Sequence, residues 1–394
     1  MTTADQSHSQ SQFLEYLRPR LAPFLDDLAS LSMVDCGTYD KAGVDAAGQI
    51  MRVRLATLDA AIEVHDGGAM GDSLVARWRG NGQARILLIG HLDTVYPAGW
   101  IADHPFAMID DRVRGPGTAD MKGGLLVGLY ALEALRAAGF TRYAEITFVL
   151  NSDEEVGSPS STALIAREAQ GRDAVLVLEP GRASGDIVSA RKGVAMFDLH
   201  VQGRAAHAGV EPQKGRSAIL ELAHQTIALQ SLNDMAPGLT VNVGVVQGGT
   251  RGNVIAAEAL ARIDVRARTR ADLDAVIAAM HEHIAQRHVP DTVSILSGGI
   301  THPPMERTPA VAQLVAWCQE AARATGFTVR DTETGGGSDG NTTAALGIPT
   351  LDGLGPVGGN AHSPDEYVML SSIVPRTAMM AGLIQRICMH ADQA

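Results

Sequence analysis

A chain of 394 residues exceeds what one hydrophobic core usually organises, so two domains are expected, with ample length to bury both. The formal net charge of -12 argues against a phosphate-backbone partner, whose recognition rests on clustered Lys and Arg, so no nucleic acid is expected. Three scattered cysteines, Cys36, Cys318 and Cys388, form no C-x-x-C pair and leave an odd thiol; they read as buried side chains in a reducing compartment, without a disulfide framework.

In chain order, Met1 to Gln12 is polar, with no basic n-region and no apolar h-region, and no later stretch reaches the roughly 18 apolar residues of a membrane span. The expected location is the cytoplasm, or the periplasm if a leader has been removed, with no membrane partner. Phe13 to Leu31 and Lys41 to Asp59 carry apolar residues at three- and four-residue steps and predict amphipathic helices, the first bent at Pro19 and Pro23. The run Arg85-Ile86-Leu87-Leu88-Ile89-Gly90 is continuous and apolar, as in a strand buried on both faces, and polar His91-Leu92-Asp93-Thr94 follows at its carboxyl end. Open α/β sheets place their sites at that edge. A helix over Lys122 to Ala138, a strand over Glu145 to Leu150, a helix over Ser160 to Gln170 and a strand over Ala174 to Leu178 repeat the rhythm. The fold class is therefore α/β, a mostly parallel sheet flanked by helices.

From 192 to 301 the rhythm changes to half-buried alternation, with Ala261, Ile263, Val265 and Ala267 set against Arg262, Asp264, Arg266 and Arg268. Helices over Gly215 to Leu232 and Ala271 to Arg287 would cover the apolar face, giving an inserted α+β domain like a split βαβ unit. Residues 1–191 and 302–394 then form the catalytic domain, resuming with a helix over Pro309 to Ala324, a strand over Thr328 to Glu333 and a helix over Ser371 to Cys388.

Zinc takes imidazole and carboxylate ligands where thiolates are absent, and this sequence offers them in loops at strand ends: His91, Asp120, Glu155, Glu179 and His362. Any one of these alone reads more readily as a solvated loop group; their joint placement is what points to metal. On extended backbone His91 and Asp93 share a face, so Asp93 can accept the imidazole's second N–H. The loop Gly115 to Gly124 allows unusual backbone angles; a phosphate cradle is the rival reading, but the strict P-loop pattern is missing. Adjacent Glu154 and Glu155 point in opposite directions, which suits one ligand and one free general base, or else a plain acidic turn.

The segments Gly90 to Val95, Gly115 to Gly124, Ser152 to Gly157, Leu178-Glu179-Pro180 and Gly358 to Glu366 resemble the dinuclear-zinc exopeptidases that include carboxypeptidase G, aminoacylase, peptidase T and succinyl-diaminopimelate desuccinylase. Tyr96-Pro97, Gly203 to Gly209 and Thr334 to Asp339 bring the chain nearest to the glutamate carboxypeptidases of the carboxypeptidase G type. The resemblance implies two zinc ions per subunit, with cobalt or manganese as possible substitutes. Asp120 would bridge them, His91 and Glu179 would complete one site, and Glu155 and His362 the other. It further implies Glu154 as general base, Asp93 as orienting partner of His91, and His207 as an oxyanion donor reaching a neighbouring subunit's site, in a homodimer built through a ferredoxin-like lid. Arg266, Asn253, Gly336 and Gly337 resemble the family's substrate-carboxylate contacts. The implied substrate is an N-acyl amino acid or peptide cleaved at the amide bond to a C-terminal amino acid, with glutamate the foremost candidate. A dipeptidase or desuccinylase-like deacylase is the alternative, and a metal-containing binding protein the non-enzymatic one. Met121, Arg191-Lys192 and Gly340-Asn341 depart from the carboxypeptidase G pattern, which bears on the side chain accepted.

Overall fold

A computed structural model describes residues 11–393, so the polar opening segment lies, through residue 10, outside the described residues. The chain forms two compact units: one of residues up to Ser189 with Arg307–Glu333 and the stretch from Ser338 onwards, the other of Ala190–Glu306 with Thr334–Gly337.

The first unit is built on a six-stranded sheet in the spatial order Ala61–His65, Ser73–Arg79, Glu145–Asn151, Arg85–His91, Ala174–Val177, Thr350–Leu351. The first three strands pair antiparallel; from Glu145–Asn151 onwards every pairing is parallel. Alternation along Arg85–His91 sends Ile86 and Leu88 into one core and Leu87 and Ile89 into another, which is why this strand is apolar throughout. Leu125, Leu126 and Leu129 from helix Gly123–Ala137 share the larger core with Met379, Leu383 and Ile384 from helix Leu370–Ala391. Leu164 and Ile165 from helix Thr162–Ala169 fill the smaller one. The three cysteines are free and buried.

The amino-terminal helix is broken rather than bent: residues 11–17 are helical, Arg18–Arg20 form a 3-10 turn, and Leu21–Ser32 starts anew with Pro23 in its first turn. Proline lacks the N–H that an unbroken helix requires at both positions, and an N-terminal turn does not use it. The strand expected over Thr328 to Glu333 occupies Asp331–Thr334 instead and pairs with Ile187–Arg191.

The second unit carries a four-stranded antiparallel sheet ordered Thr240–Gly248, Glu258–Ala267, Gly193–Gln202, Val293–His302. With two helices interleaved in the chain, this is the split βαβ arrangement. Ala261, Ile263 and Val265 bury against helices Ala218–Gln230 and Arg270–Ala285, capped at their starts by the Ser217 and Thr269 side chains. The Ser217 cap explains why the first of these begins three residues later than its apolar pattern suggests.

Candidate metal centre

Parallel pairing brings three strand ends to one edge. His91 closes strand Arg85–His91 opposite Asn151, and Glu154 and Glu155 follow Asn151 in a short 3-10 turn. Glu179 follows strand Ala174–Val177 by two residues. Across from them the loop before helix Gly123–Ala137 presents Asp120, and His362 enters from a turn in which its φ is 64°.

Two donor groups result, His91 with Asp120 and Glu179, and Asp120 with Glu155 and His362, the donor atoms of each lying within 4.8 Å of one another. Asp120 belongs to both through different oxygens: its Oδ1 is 3.1 Å from His91 Nε2 and its Oδ2 3.2 Å from His362 Nε2. His362 Nε2 also lies 3.1 Å from Glu155, whose other oxygen is buried and has no hydrogen-bond partner. Glu154, next in the chain, is in neither group.

Asp93 is wholly buried and places its Oδ1 3.3 Å from His91 Nδ1. Its oxygens also accept from Thr38 Oγ1 (2.6 Å) and from the backbone N–H groups of Glu154 (3.2 Å) and Glu155 (3.3 Å). His91 Nδ1 is also hydrogen-bonded to the Asp93 backbone carbonyl at 3.0 Å, so Asp93 orients the imidazole through both its main chain and its carboxylate, and the carboxylate holds the turn bearing both glutamates.

The electrostatics state what the site requires. Burial, reinforced by neighbouring carboxylates, pushes Glu154 and Glu179 well above the usual carboxylate range, and burial also raises Glu155. Burial opposes a charge on His91, but hydrogen bonds to Asp120 and Asp93 outweigh it and raise its pKa; bonds to Asp120 and Glu155 lift His362 to about 10. A set of four carboxylates and two imidazoles that favours positive charge this strongly, with a buried carboxylate oxygen lacking any donor, suits divalent cations of the zinc type.

Three further residues hold this edge: Glu366 and Asp339 each end a stretch that carries the resemblance noted above, though neither was singled out there, and Arg376 lies in no such motif. Glu366 is buried, and its carboxylate accepts from the N–H groups of Gly117, Ala119 and Asp120 and from the Tyr96 hydroxyl, fixing the loop that offers Asp120. Asp339 accepts from Ser158 Oγ (2.5 Å) and Asn151 Nδ2 (2.9 Å) behind the glutamate turn. Arg376, 1% exposed, donates to the carbonyls of Gly353, Gly355 and Gly185, while Gly355 N–H in turn reaches Glu179 O.

His207, Arg266, Asn253, Gly336 and Gly337 all belong to the second unit and lie outside both donor groups. His207 is exposed, and its Nδ1 accepts from Gly209 N–H at 3.2 Å, which leaves Nε2 as the proton-bearing nitrogen. Asn253 is exposed, and its backbone carbonyl accepts from Ala208 N–H. Arg266 is not a free guanidinium: it grips Asp264 through Nε (3.0 Å) and Nη2 (3.3 Å) and donates to Gly335 O through Nη1. Arg191 Nη1 donates to the carbonyls of Gly336 and Gly337. With three carbonyls turned to these arginines, planar trans peptides aim the N–H groups of Gly336 and Gly337 the other way.

Residues 87–386 match the peptidase family M20/M25/M40. The chain is 34% identical to carboxypeptidase G2 of Pseudomonas sp. (strain RS-16), covering 91% of this chain and 87% of that protein. It is 28% identical to succinyl-diaminopimelate desuccinylase of Paracidovorax citrulli (strain AAC00-1), covering 88% and 94%. The fold matches the crystal structure of aminopeptidase PepT from Bacillus cereus ATCC 10987 with a TM-score of 0.81 at 23% identity, over 93% of this chain and 98% of that one. The chain belongs to peptidase family M20/M25/M40 and is a metal-dependent hydrolase.

Proposed function

We propose that this protein hydrolyses the amide bond between an acyl group and a C-terminal amino acid, glutamate foremost, using two divalent ions, zinc by ligand type. The observation that carries the reading is the division of one carboxylate, Asp120, between two donor groups, with the uncommitted Glu154 beside them. His91, Asp120 and Glu179 would hold one ion, and Asp120, Glu155 and His362 the other. Bound ions of this kind polarise the scissile carbonyl and bring the pKa of water towards neutrality. Glu154 accepts the proton from the attacking water and delivers it to the leaving amine, a role suited to a carboxylate that adjoins the donor groups and belongs to neither. Asp93 keeps His91 in the tautomer that presents Nε2.

The second unit serves as lid and dimer interface in this reading. His207 donates from Nε2 to the developing oxyanion of a neighbouring subunit, and the Gly336 and Gly337 N–H groups, with Asn253 and Arg266, receive the substrate carboxylate. Since Arg266 already holds Asp264, its part is to fix the Gly335 carbonyl and share its charge rather than to clamp alone. The 34% identity to carboxypeptidase G2 supports the carboxypeptidase reaction; the desuccinylase at 28% identity favours a deacylase as second reading.

The deciding experiment strips the metal, restores it, and measures hydrolysis of N-acyl amino acids that vary in the C-terminal residue. Metal-dependent cleavage confined to acyl-glutamates is expected. Cleavage of other amides alone would move the substrate to the deacylase reading, and bound metal without any cleavage would overturn the hydrolytic role.

A further inference from the structure

The end of the six-stranded sheet remote from the metal centre holds a cavity of about 600 Å3, a size usual for small-molecule sites. Ile146 lines it from the start of strand Glu145–Asn151, whose other end, Asn151, pairs with His91. At the rise of extended chain the two ends are about 17 Å apart. Both belong to the first unit.

The floor of the cavity is core: Leu58, Leu132, Leu135 and Ile146 are each at most 7% exposed. Its walls are aromatic, since Trp78, Phe140 and Tyr143 pack against that core and yet stay partly exposed. The Trp78 indole N–H donates to Leu58 O at 2.8 Å, which fixes the ring, and the Phe140 and Tyr143 rings meet at a 41° tilt with centroids 6.4 Å apart. Such rings accept a flat apolar body by face or by edge.

The rim sets the charge. Three arginines and two acids line the cavity. Adding Glu145 and Glu168, which pair with two of those arginines, and Arg167 and Arg172, which pair with these glutamates, leaves the same excess of one positive charge. His65 beside Glu63 can only add to it. Arg77 is committed to Glu63 and Glu168, at 2.6 and 2.7 Å, and Arg136 to Asp59 and the Thr57 carbonyl. Arg79 is not: its side chain is 84% exposed, and Glu145, 3.7 Å away, is gripped at 2.7 Å by Arg172. The Tyr143 hydroxyl makes no hydrogen bond to another described residue, and burial raises its pKa, so it keeps its proton to donate.

We propose that this cavity is a second ligand site, for an aromatic monocarboxylate whose rings lie among Trp78, Phe140 and Tyr143 and whose carboxylate takes Arg79 and Tyr143 as donors. The site stands apart from the metal centre and does not depend on what that centre hydrolyses.

The test uses naphthalene-2-carboxylate as probe, by equilibrium dialysis against the metal-loaded protein, with naphthalene-2-carboxamide as the uncharged control. Saturable binding of the acid, about 10-fold tighter than of the amide, is expected. Arg79→Glu should weaken it about 10-fold by replacing the free cation with an anion. Thr141→Trp, at an exposed lining position, should weaken it similarly by filling the space. Both variants should keep the parent's metal content and melting temperature. Affinity untouched by both would put the probe elsewhere and overturn the site. Equal binding of acid and amide, or no saturable binding, would overturn it as well.

Discussion

Glu154 and Glu155 are adjacent in sequence yet keep different company: Glu155 meets His362, and Glu154 joins no donor group. On the proposed reading, replacing Glu154 should therefore spare the metals and remove the proton carrier. Glu154→Ala is expected to retain two ions by atomic absorption with kcat lowered at least 100-fold, whereas Glu366→Ala should weaken metal binding by about 10–100-fold, because Asp120 loses its anchor. Substantial turnover in the first variant would place the base elsewhere, and unchanged metal affinity in the second would show that the loop holds itself. In the sequence, divergence of adjacent acids at a strand end separated Glu154 from Glu155, and the family resemblance, not the residues themselves, marked Glu154 as the free one. Glu366 could not be singled out, since its partners Gly117, Ala119 and Asp120 lie about 250 positions away and only the folded chain brings them to it. Asp339 and Arg376 were hidden for the same reason.

The longer helices of the first unit and three of the six strands of its main sheet were visible as periodicity, with ends displaced by up to three residues, while strands Ala61–His65, Ser73–Arg79 and Thr350–Leu351 were not expected. Periodicity does not reveal how closely elements approach. Helix Gly123–Ala137 lies so near the strand end before Glu179 that a Cβ on Gly124 would fall 1.8 Å from Leu178 O. Intrinsic propensity favours alanine over glycine inside a helix by about 1 kcal/mol, while forcing atoms into a filled core costs about 1–3 kcal/mol. With backbone rather than a flexible side chain in the way, the second effect should win. Gly124→Ala is expected to lower the melting temperature and displace Glu179, read as weaker metal binding; a raised melting temperature would mean that the helix slides freely.

The second unit presents an apolar face that it does not cover itself. Ile219 (46% exposed), Leu220 (51%) and Ile227 (72%) stand on helix Ala218–Gln230, and Val246 (56%), paired with inward-facing Ala261, lies on the helix-covered side of the edge strand Thr240–Gly248. Unpaired edges with apolar neighbours invite a second copy, so a dimer by sedimentation is expected. On the proposed reading, in which His207 serves a neighbouring subunit, Ile227→Glu combined with Val246→Glu should give monomers that have lost kcat. Active monomers would remove His207 from the reaction. The alternation along Glu258–Ala267 made this unit's sheet readable, but nothing local marked Thr334–Gly337 as part of it; the bond from Lys192 N–H to Thr334 O does. Where the chain enters and leaves, Arg191 and Met305 exchange both backbone hydrogen bonds, at 2.9 and 3.0 Å. Topologically the whole insertion is an overgrown hairpin loop. Each doubling of such a loop adds only about 0.6 kcal/mol of closure entropy, so a short ancestral turn at this point could lengthen into a folded body without unfolding its host. The junction is thus a natural splice point, where one cargo can be exchanged for another between ends that already touch.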